Sequence, residues 1–450
     1  MRTIFKSIIL SFATFGLLSC GATIKDNCTD ILYSQEMVKS KALKTFLSNK
    51  REQQLATARW DYVPGLVAFS VLKAWQQYPE QTEYYETVKK YADFCLQGQD
   101  TIEVGESNID DIAAGKIFFI LHEEELKKGN AEDAERYKNC ATFLRNKLKY
   151  DHSRIDENKP GAGGFFHKAQ YPNQMWLDGL YMGAAFYAEW QANFGKTWGE
   201  EDNLNSWTDI TSQFKIIHKY TYDSDKKLNY HAWSADPTDD NSFWANKEAP
   251  YQGCSPEFWG RGMGWYFAAL VDVLEIMPQD HPDYKTLINI ANEVADGLVQ
   301  YQDKKSNCWY QLLQYDATVT ADNIGDTASN SEVYNKCDKP NYPEASASAM
   351  FTYSYLKGIR LGILNKAKYI DIAQKAYKGL LDTFIRQGES GDISIIQSCA
   401  SAGLGPAKDL SRTGTINYYL CGKDVTITQD EGKAIGPFIM ASLEYELSQK

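Results

Sequence analysis

The chain has 450 residues and a formal net charge of −12 at pH 7. No basic run stands out, which argues against nucleic acid as a partner. The 29 Tyr and 11 Trp are numerous enough to suit stacking against sugar rings as well as core packing.

In chain order, Arg2 and Lys6 precede an apolar run from Ile8 to Leu18, then Ser19 and Cys20. A positive start, a short apolar core and small residues describe a secretory signal over 1–19. The run is too short to span a bilayer, and no other segment is long and apolar enough. The ending Leu17-Leu18-Ser19-Cys20 resembles a bacterial lipobox, which implies cleavage before Cys20 and lipid on that residue. An ordinary secretory signal with an incidental Cys is the alternative. The expectation is an exported protein, lipid-anchored to a bacterial membrane in the periplasm or at the outer-membrane surface. Residues 20–30 then form a tether. No linker or low-complexity tract interrupts the rest, so 31–450 reads as one catalytic domain.

Apolar residues at i, i+3, i+4 and i+7 predict helices from near Ile31, then over 64–78, 83–97, 110–127, 132–149 and 178–194. The pattern continues over 205–221, 262–277, 283–302, 346–364, 367–386 and 431–448. Helices starting near 64, 110, 178, 262, 346 and 431 are rich in Gly, Ala and aromatics and look buried on most sides. Their partners carry Lys and acidic residues on one face. Six buried helices alternating with six amphipathic ones predict an all-α (α/α)6 toroid. Short strands are expected at LNYHAWS (228–234), CWYQLL (308–313), DISII (392–396) and TINYYL (415–420). The nine cysteines contain no C-x-x-C pair, so neither a zinc site nor any other metal or cofactor is expected. Cys399 and Cys421 are candidates for a bridge, and Cys95 and Cys140 for bridges or buried thiols in helices.

The unusual residues precede the buried helices: WDYVPG (60–65), SNIDD (107–111), YPNQMWLD (171–178), PEFWGRGMGW (256–265), YPEASAS (342–348) and TQDEGKAIG (428–436). In a toroid these ends converge on one mouth, where helix N-termini favour an anionic ligand. Asp178, Asp110 and Asp111 each stand where an N-cap belongs, so each either caps a helix or does chemistry. His231 is either a strand histidine or a site residue, and Trp176, Trp259 and Trp265 are either core or sugar platforms. Arg261, flanked by Gly260, Gly262 and Gly264, needs an acidic partner. Those glycines would let a ligand approach the backbone.

NIDDIAAGK, HKAQYPNQMWLDGLYMGAAFYAEW, FWGRGMGWYFAALVDVLE and SASAMFTYSYLKGIRLG resemble the unsaturated rhamnogalacturonyl hydrolases, glycoside hydrolase family 105. The resemblance runs from about residue 60 to the C-terminus and implies the same (α/α)6 fold. It also implies a hydrolase that removes an unsaturated uronic acid from the non-reducing end of lyase-generated pectin oligosaccharides. Asp178 matches the residue that protonates C4 of the C4–C5 double bond and activates the water that adds at C5. Asp110 matches the residue that orients the sugar and tunes Asp178. His231 and Arg261 match positions that contact the uronate. Tyr62, His167, Trp176, Trp259 and Trp265 complete the expected substrate-binding set.

Aromatic neighbours and a second carboxylate would raise the affinity of Asp178 for its proton, while a helix N-terminus would lower it. Met263 stands where relatives often have Asn, implying a different contact at the edge of the sugar. The polar stretch 318–340 reads as a loop near the mouth that sets specificity. An unsaturated glucuronyl hydrolase acting on glycosaminoglycan or ulvan fragments is one rival; a non-catalytic glycan-binding lipoprotein is another. The second gains nothing from two carboxylates beside an anion.

Overall fold

A computed structural model describes residues 31–46, 59–320 and 337–450. The expected signal, Cys20 and most of the 318–340 loop lie outside these residues. The fold is the helical toroid. Its inner ring comprises Tyr62–Gln77, Asp110–Lys128, Leu177–Trp198, Gly260–Ile276, Ala345–Arg360 and Gly432–Ser448. Each packs on the next, and Gly432–Ser448 returns to Tyr62–Gln77 to close the circle. The outer helices include Thr82–Leu96, Ala131–Asn146, Glu200–Thr221, Tyr284–Gln300 and Lys366–Phe384, with Tyr33–Met37 and its continuation to Thr45 against the last inner helix.

Sequence explains which ring each helix joins. In Gly260–Ile276 every residue from Gly260 to Leu274 is buried, because glycine, alanine and aromatics leave no polar face to solvate. Tyr284–Gln300 buries Leu287, Ile290, Ala291, Val294 and Leu298 along one stripe and turns its charged face to water. One buried apolar cluster draws on residues from Tyr33 to Leu443.

The two ends of the ring differ. At the C-terminal ends of the inner helices, charged side chains stitch neighbours together: Lys357 Nζ lies 2.8 Å from Asp272 Oδ1 and 2.7 Å from Glu275 Oε2, and Arg360 Nε lies 2.7 Å from Glu444 Oε2. Above them the Lys116 ammonium sits 3.4 Å from the centre of the Tyr181 ring, and burial lowers its pKa to about 8. The N-terminal ends carry the short strands and loops. Gln174–Trp176 pairs antiparallel with Ala232–Ser234, placing Trp176 opposite Ala232. Ile393–Ile395 pairs with Ile385–Gln387, and Ser398–Cys399 with Ile427–Thr428.

Three local expectations are corrected. Of CWYQLL, only Tyr310 and Leu312 pair, through isolated bridges to Pro343 and Trp259. TINYYL is the short helix Ile416–Cys421, in which five consecutive residues are buried, so no strand face alternates. Cys421 bonds to Cys337 rather than to Cys399. Cys399 is a buried free thiol whose backbone is tied elsewhere, as shown below. Cys95 and Cys140 are free within helices.

The Cys337–Cys421 bond spans 84 residues of sequence, a closure that the chain-entropy account values at about 4 kcal/mol. Non-reducing peptide mapping should recover Cys337 joined to Cys421, and Cys337→Ser should melt several degrees below the parent. A mapped Cys399–Cys421 link would refute the pairing.

Candidate active site

Asp178 enters the mouth on the second residue of Leu177–Gly179, directly after strand Gln174–Trp176. It does not cap that helix: Trp176 holds the cap position and no side-chain cap bond forms. Asp110 likewise begins Asp110–Ala113 without capping it. Asp111 instead accepts a 2.8 Å bond from the Gly105 N–H. The helix cap in this region is Asp61, which accepts from Val63 N–H. Of the two roles left open for Asp178 and Asp110, capping is therefore unfilled.

The register of Gln174–Trp176 against Ala232–Ser234 delivers His231 to Asp178. Leu177 N–H donates to the His231 carbonyl at 3.0 Å, and His231 Nε2 lies 3.1 Å from Asp178 Oδ2. His231 is fully buried. Its other nitrogen, Nδ1, lies 2.6 Å from the Tyr419 hydroxyl, and the Trp259 ring stands 4.6 Å away, centre to centre. Gly262 makes room for this pair. A Cβ there would come within 3.1 Å of His231 Cδ2 and 3.7 Å of Asp178 Oδ2. Gly260 and Gly264 face the Tyr310 carbonyl and Met350 in the same way. The three glycines thus admit neighbouring protein, not a ligand.

Across the mouth, Asp110 Oδ2 takes a 2.6 Å ion pair from Lys168, and His167 Nε2 stands 3.6 Å from Asp110 Oδ1. His167 stacks on Trp176 with ring centres 4.3 Å apart and planes 8° from parallel. Burial, then the Lys168 charge, holds His167 well below its ordinary pKa, so its ring is neutral. Its Nδ1 is buried without a hydrogen-bond partner. Tyr62 begins the first inner helix. Burial, then the charge of Asp110, raises its hydroxyl well above the ordinary range. Arg261 and Asp178 also act on that hydroxyl, so Tyr62 sits among the charged groups.

The two carboxyls are pushed in opposite directions. Burial raises Asp110, and Lys168 only partly offsets it. Burial also pushes Asp178 up, but the charge and hydrogen bond of His231 outweigh it and leave Asp178 below its usual value. Asp178 is therefore held as a carboxylate.

Arg261 has the acidic partner its sequence demanded, but that partner is structural. Glu344, wholly buried, lies 3.3 Å from Nη2, and Nε donates to Ser346 Oγ at 2.7 Å. Nη2 also donates to the Cys399 carbonyl. Glu344 in turn caps Ala345–Arg360 through Ala347 N–H at 2.7 Å and accepts from Cys399 N–H at 2.8 Å. Among the described residues only Nη1 of the guanidinium has no hydrogen bond. Lys433 stands beside it; burial, then the Arg261 charge, lowers its pKa.

Two expected contacts move inward. Trp265 is buried 4.7 Å from the Tyr181 ring, beneath the mouth, because four residues along an inner helix lead into the core. Met263 is buried with its sulfur 3.4 Å from Asn229 N–H, away from any sugar edge. Conversely, Lys168, Lys433, Glu344 and Tyr419 belong to the site and were not singled out. Lys168 follows His167 and Lys433 lies in TQDEGKAIG, so position before an inner helix would have found both. Tyr419 has no such signal.

The sequence model of Glycosyl Hydrolase Family 88 matches residues 34–328 and 330–449, and the chain belongs to that family. It is a glycoside hydrolase of the 88/105 group. A family 105 glycoside hydrolase structure from C. acetobutylicum ATCC 824 is 34% identical, with a TM-score of 0.76, over 93% of this chain and 100% of that one. An Agrobacterium fabrum protein is 31% identical over 257 residues, 56% of this chain and 95% of its own. An unsaturated rhamnogalacturonyl hydrolase of Bacillus subtilis is 23% identical over 346 residues, 77% of this chain and 82% of its own.

Removing Arg261 strands a buried carboxylate, a loss of about 3–5 kcal/mol. Arg261→Met should therefore lower the denaturant midpoint markedly. Arg261→Lys, which keeps the charge but not the planar fork, should lower it less. A parent-like midpoint for Arg261→Met would refute the anchoring role.

Proposed function

We propose that the protein removes an unsaturated uronic acid from the non-reducing end of rhamnogalacturonan-type oligosaccharides by hydrating the C4–C5 double bond. The observation that carries this reading is a buried, non-capping carboxylate, Asp178, bonded to His231 at a mouth that also gathers Asp110, Lys168 and Arg261. Arg261 is paired with Glu344, and Lys433 with Glu431 at 2.7 Å, so a uronate meets cations whose first partners are already in place. Arg261 Nη1 has no protein partner to displace. Trp176 and Trp259 wall the position, and Asp110, held by Lys168, orients sugar hydroxyls. The B. subtilis relative supports the pectin-derived substrate.

In this mechanism Asp178 transfers a proton to C4, and the developing positive charge at C5 is quenched by water. Asp178, now a carboxylate, takes the proton of that water. The resulting hemiketal at C5 opens, C1 loses its bond to the aglycone oxygen, and a free sugar and a keto-uronate leave. No proton need reach the glycosidic oxygen first. The carboxylate-separation rule for ordinary glycosidases does not apply, because ring opening erases the anomeric configuration.

The resting state of Asp178 has a consequence. A bound uronate places a negative charge nearby and raises its proton affinity. kcat/KM reports free enzyme and kcat the complex, so both fall with rising pH, but kcat should hold to higher pH. Superimposable profiles would refute this loading by substrate.

Asp178→Asn keeps the shape but cannot shuttle the proton. It should lose about 10²–10⁴-fold or more in turnover while melting within a few degrees of the parent and still binding the disaccharide. The readout is disappearance of the double-bond absorbance on a panel of lyase products, glycosaminoglycan and ulvan fragments included. Parent-like turnover by Asp178→Asn would sink the mechanism. Preference for a glucuronyl-hexosamine substrate would replace the pectin assignment.

The same reading places the enzyme outside the cytoplasm, held by lipid on Cys20, in keeping with the apolar run that ends at Leu18-Ser19-Cys20. Mass spectrometry of membrane-extracted protein should find an acylated N-terminal peptide starting at Cys20; an unmodified N-terminus would refute it.

A further inference from the structure

The Tyr419 hydroxyl has no role in the mechanism so far, yet its position is tightly fixed. Tyr419 is fully buried, with its hydroxyl against His231. It lies in Ile416–Cys421, whose last residue is joined to Cys337. Its carbonyl accepts from Gln311 Nε2 at 3.3 Å. Its neighbour Tyr418 accepts from Gly403 N–H at 2.9 Å and donates to Asp424 at 3.1 Å. Among the described residues its hydroxyl makes one hydrogen bond, at 2.6 Å, to His231 Nδ1.

His231 links that hydroxyl to the catalytic carboxylate through its two nitrogens. During turnover the Asp178–His231 pair gives a proton to C4 and regains one from water. When the pair lacks that proton, Nε2–H donates to the Asp178 carboxylate, and Nδ1 is a bare acceptor. Tyr419 O–H must then donate. When the pair holds the proton, on either partner, Nδ1 carries a hydrogen and needs an acceptor. The Tyr419 oxygen then accepts. A hydroxyl serves both states by rotating; a carboxylate, an ammonium or a carbonyl serves only one.

We propose that Tyr419 is a positioning residue whose rotating hydroxyl lets the Asp178–His231 pair gain and lose its proton without leaving a buried nitrogen unpaired. The idea rests on the hydration mechanism above for its kinetic consequence, but its structural consequence needs no substrate. The charged and titratable groups facing this chain are His167 beside Asp178, Glu257 ahead of the Gly260–Ile276 helix, and Arg412 and Tyr418 beside Tyr419. Asp110 and Arg261 lie across the mouth, around Tyr62. The test alters none of them.

Tyr419→Phe removes one oxygen and leaves Nδ1 facing a ring edge. A buried N–H without an acceptor is less tolerable than a bare lone pair. The proton-loaded state is therefore penalised, and the pair releases its proton at lower pH. The experiment measures kcat and KM against pH for parent and Tyr419→Phe on an unsaturated disaccharide. It also records the 15N spectrum of histidine-labelled protein, in which six histidines are present.

The expected result is a kcat profile whose alkaline limb moves to lower pH, costing about tenfold in kcat for each unit moved, with KM little changed. The His231 Nδ1 resonance should lose its proton at correspondingly lower pH in the variant. Equal midpoints in both proteins, by kinetics and by spectrum, would overturn the proposal. A folded parent that leaves the disaccharide untouched would overturn the hydration reading, while the spectra still decide the role of Tyr419. Should Tyr419→Phe fail to fold, the parent spectrum decides alone: an Nδ1 whose protonation never changes across the accessible pH range overturns the proposal.

Discussion

The buried pair of Arg261 and Glu344 sets the geometry of the mouth. Each belongs to the N-terminal end of one inner helix, and together they hold both faces of the Cys399 backbone. That contact joins two neighbouring helices to strand Ser398–Cys399. Two desolvated charges are stable there because they pair with each other and share further hydrogen bonds to Ser346, Ala347 and Cys399. Arg261 is one residue before Gly262, and Gly262 packs against His231 and Asp178. Fixing Arg261 therefore fixes the backbone against which Asp178 and His231 rest.

The electrostatics of the mouth follow from what is buried beside what. Asp110 and Asp178 are both desolvated, which alone would raise both. They diverge because their partners differ. Lys168 only partly compensates Asp110, whereas His231 overcompensates Asp178. Asp178 is thus held as a carboxylate. The opposite end of the ring is built from complementary pairs, Lys357 with Asp272 and Glu275, and Arg360 with Glu444.

Much of this was readable from residue order. Helix periodicity and the alternation of small-aromatic with charged-faced helices identify the two rings, since burial on all sides excludes polar residues from the inner one. The stretches before the inner helices point to the mouth because helix N-termini converge there. Asp178, Asp110, His167, Trp176, His231 and Trp259 do meet around that mouth. Trp265 does not, because it lies one turn deeper along its helix than Arg261, and Met263 does not, because a helix turns 100° per residue and that position faces a different neighbour. Pattern alone does not say which face meets the axis. TINYYL misleads because β-branched and aromatic residues suit a strand and a buried helical turn equally well.

The sequence by itself therefore determined the class of fold, the ring to which each long helix belongs and the end of the ring where the unusual residues gather. These depend on local periodicity and on the direction of each helix. Only the tertiary structure decided that Asp178 and Asp110 cap nothing, that Arg261 is held by Glu344, that Cys421 bonds Cys337, and that Tyr419 ends the chain through His231. His231 and Tyr419 are separated by 188 residues, and Arg261 and Glu344 by 83. Contacts at such separations depend on how helices close into a ring, which no local pattern of hydrophobicity records.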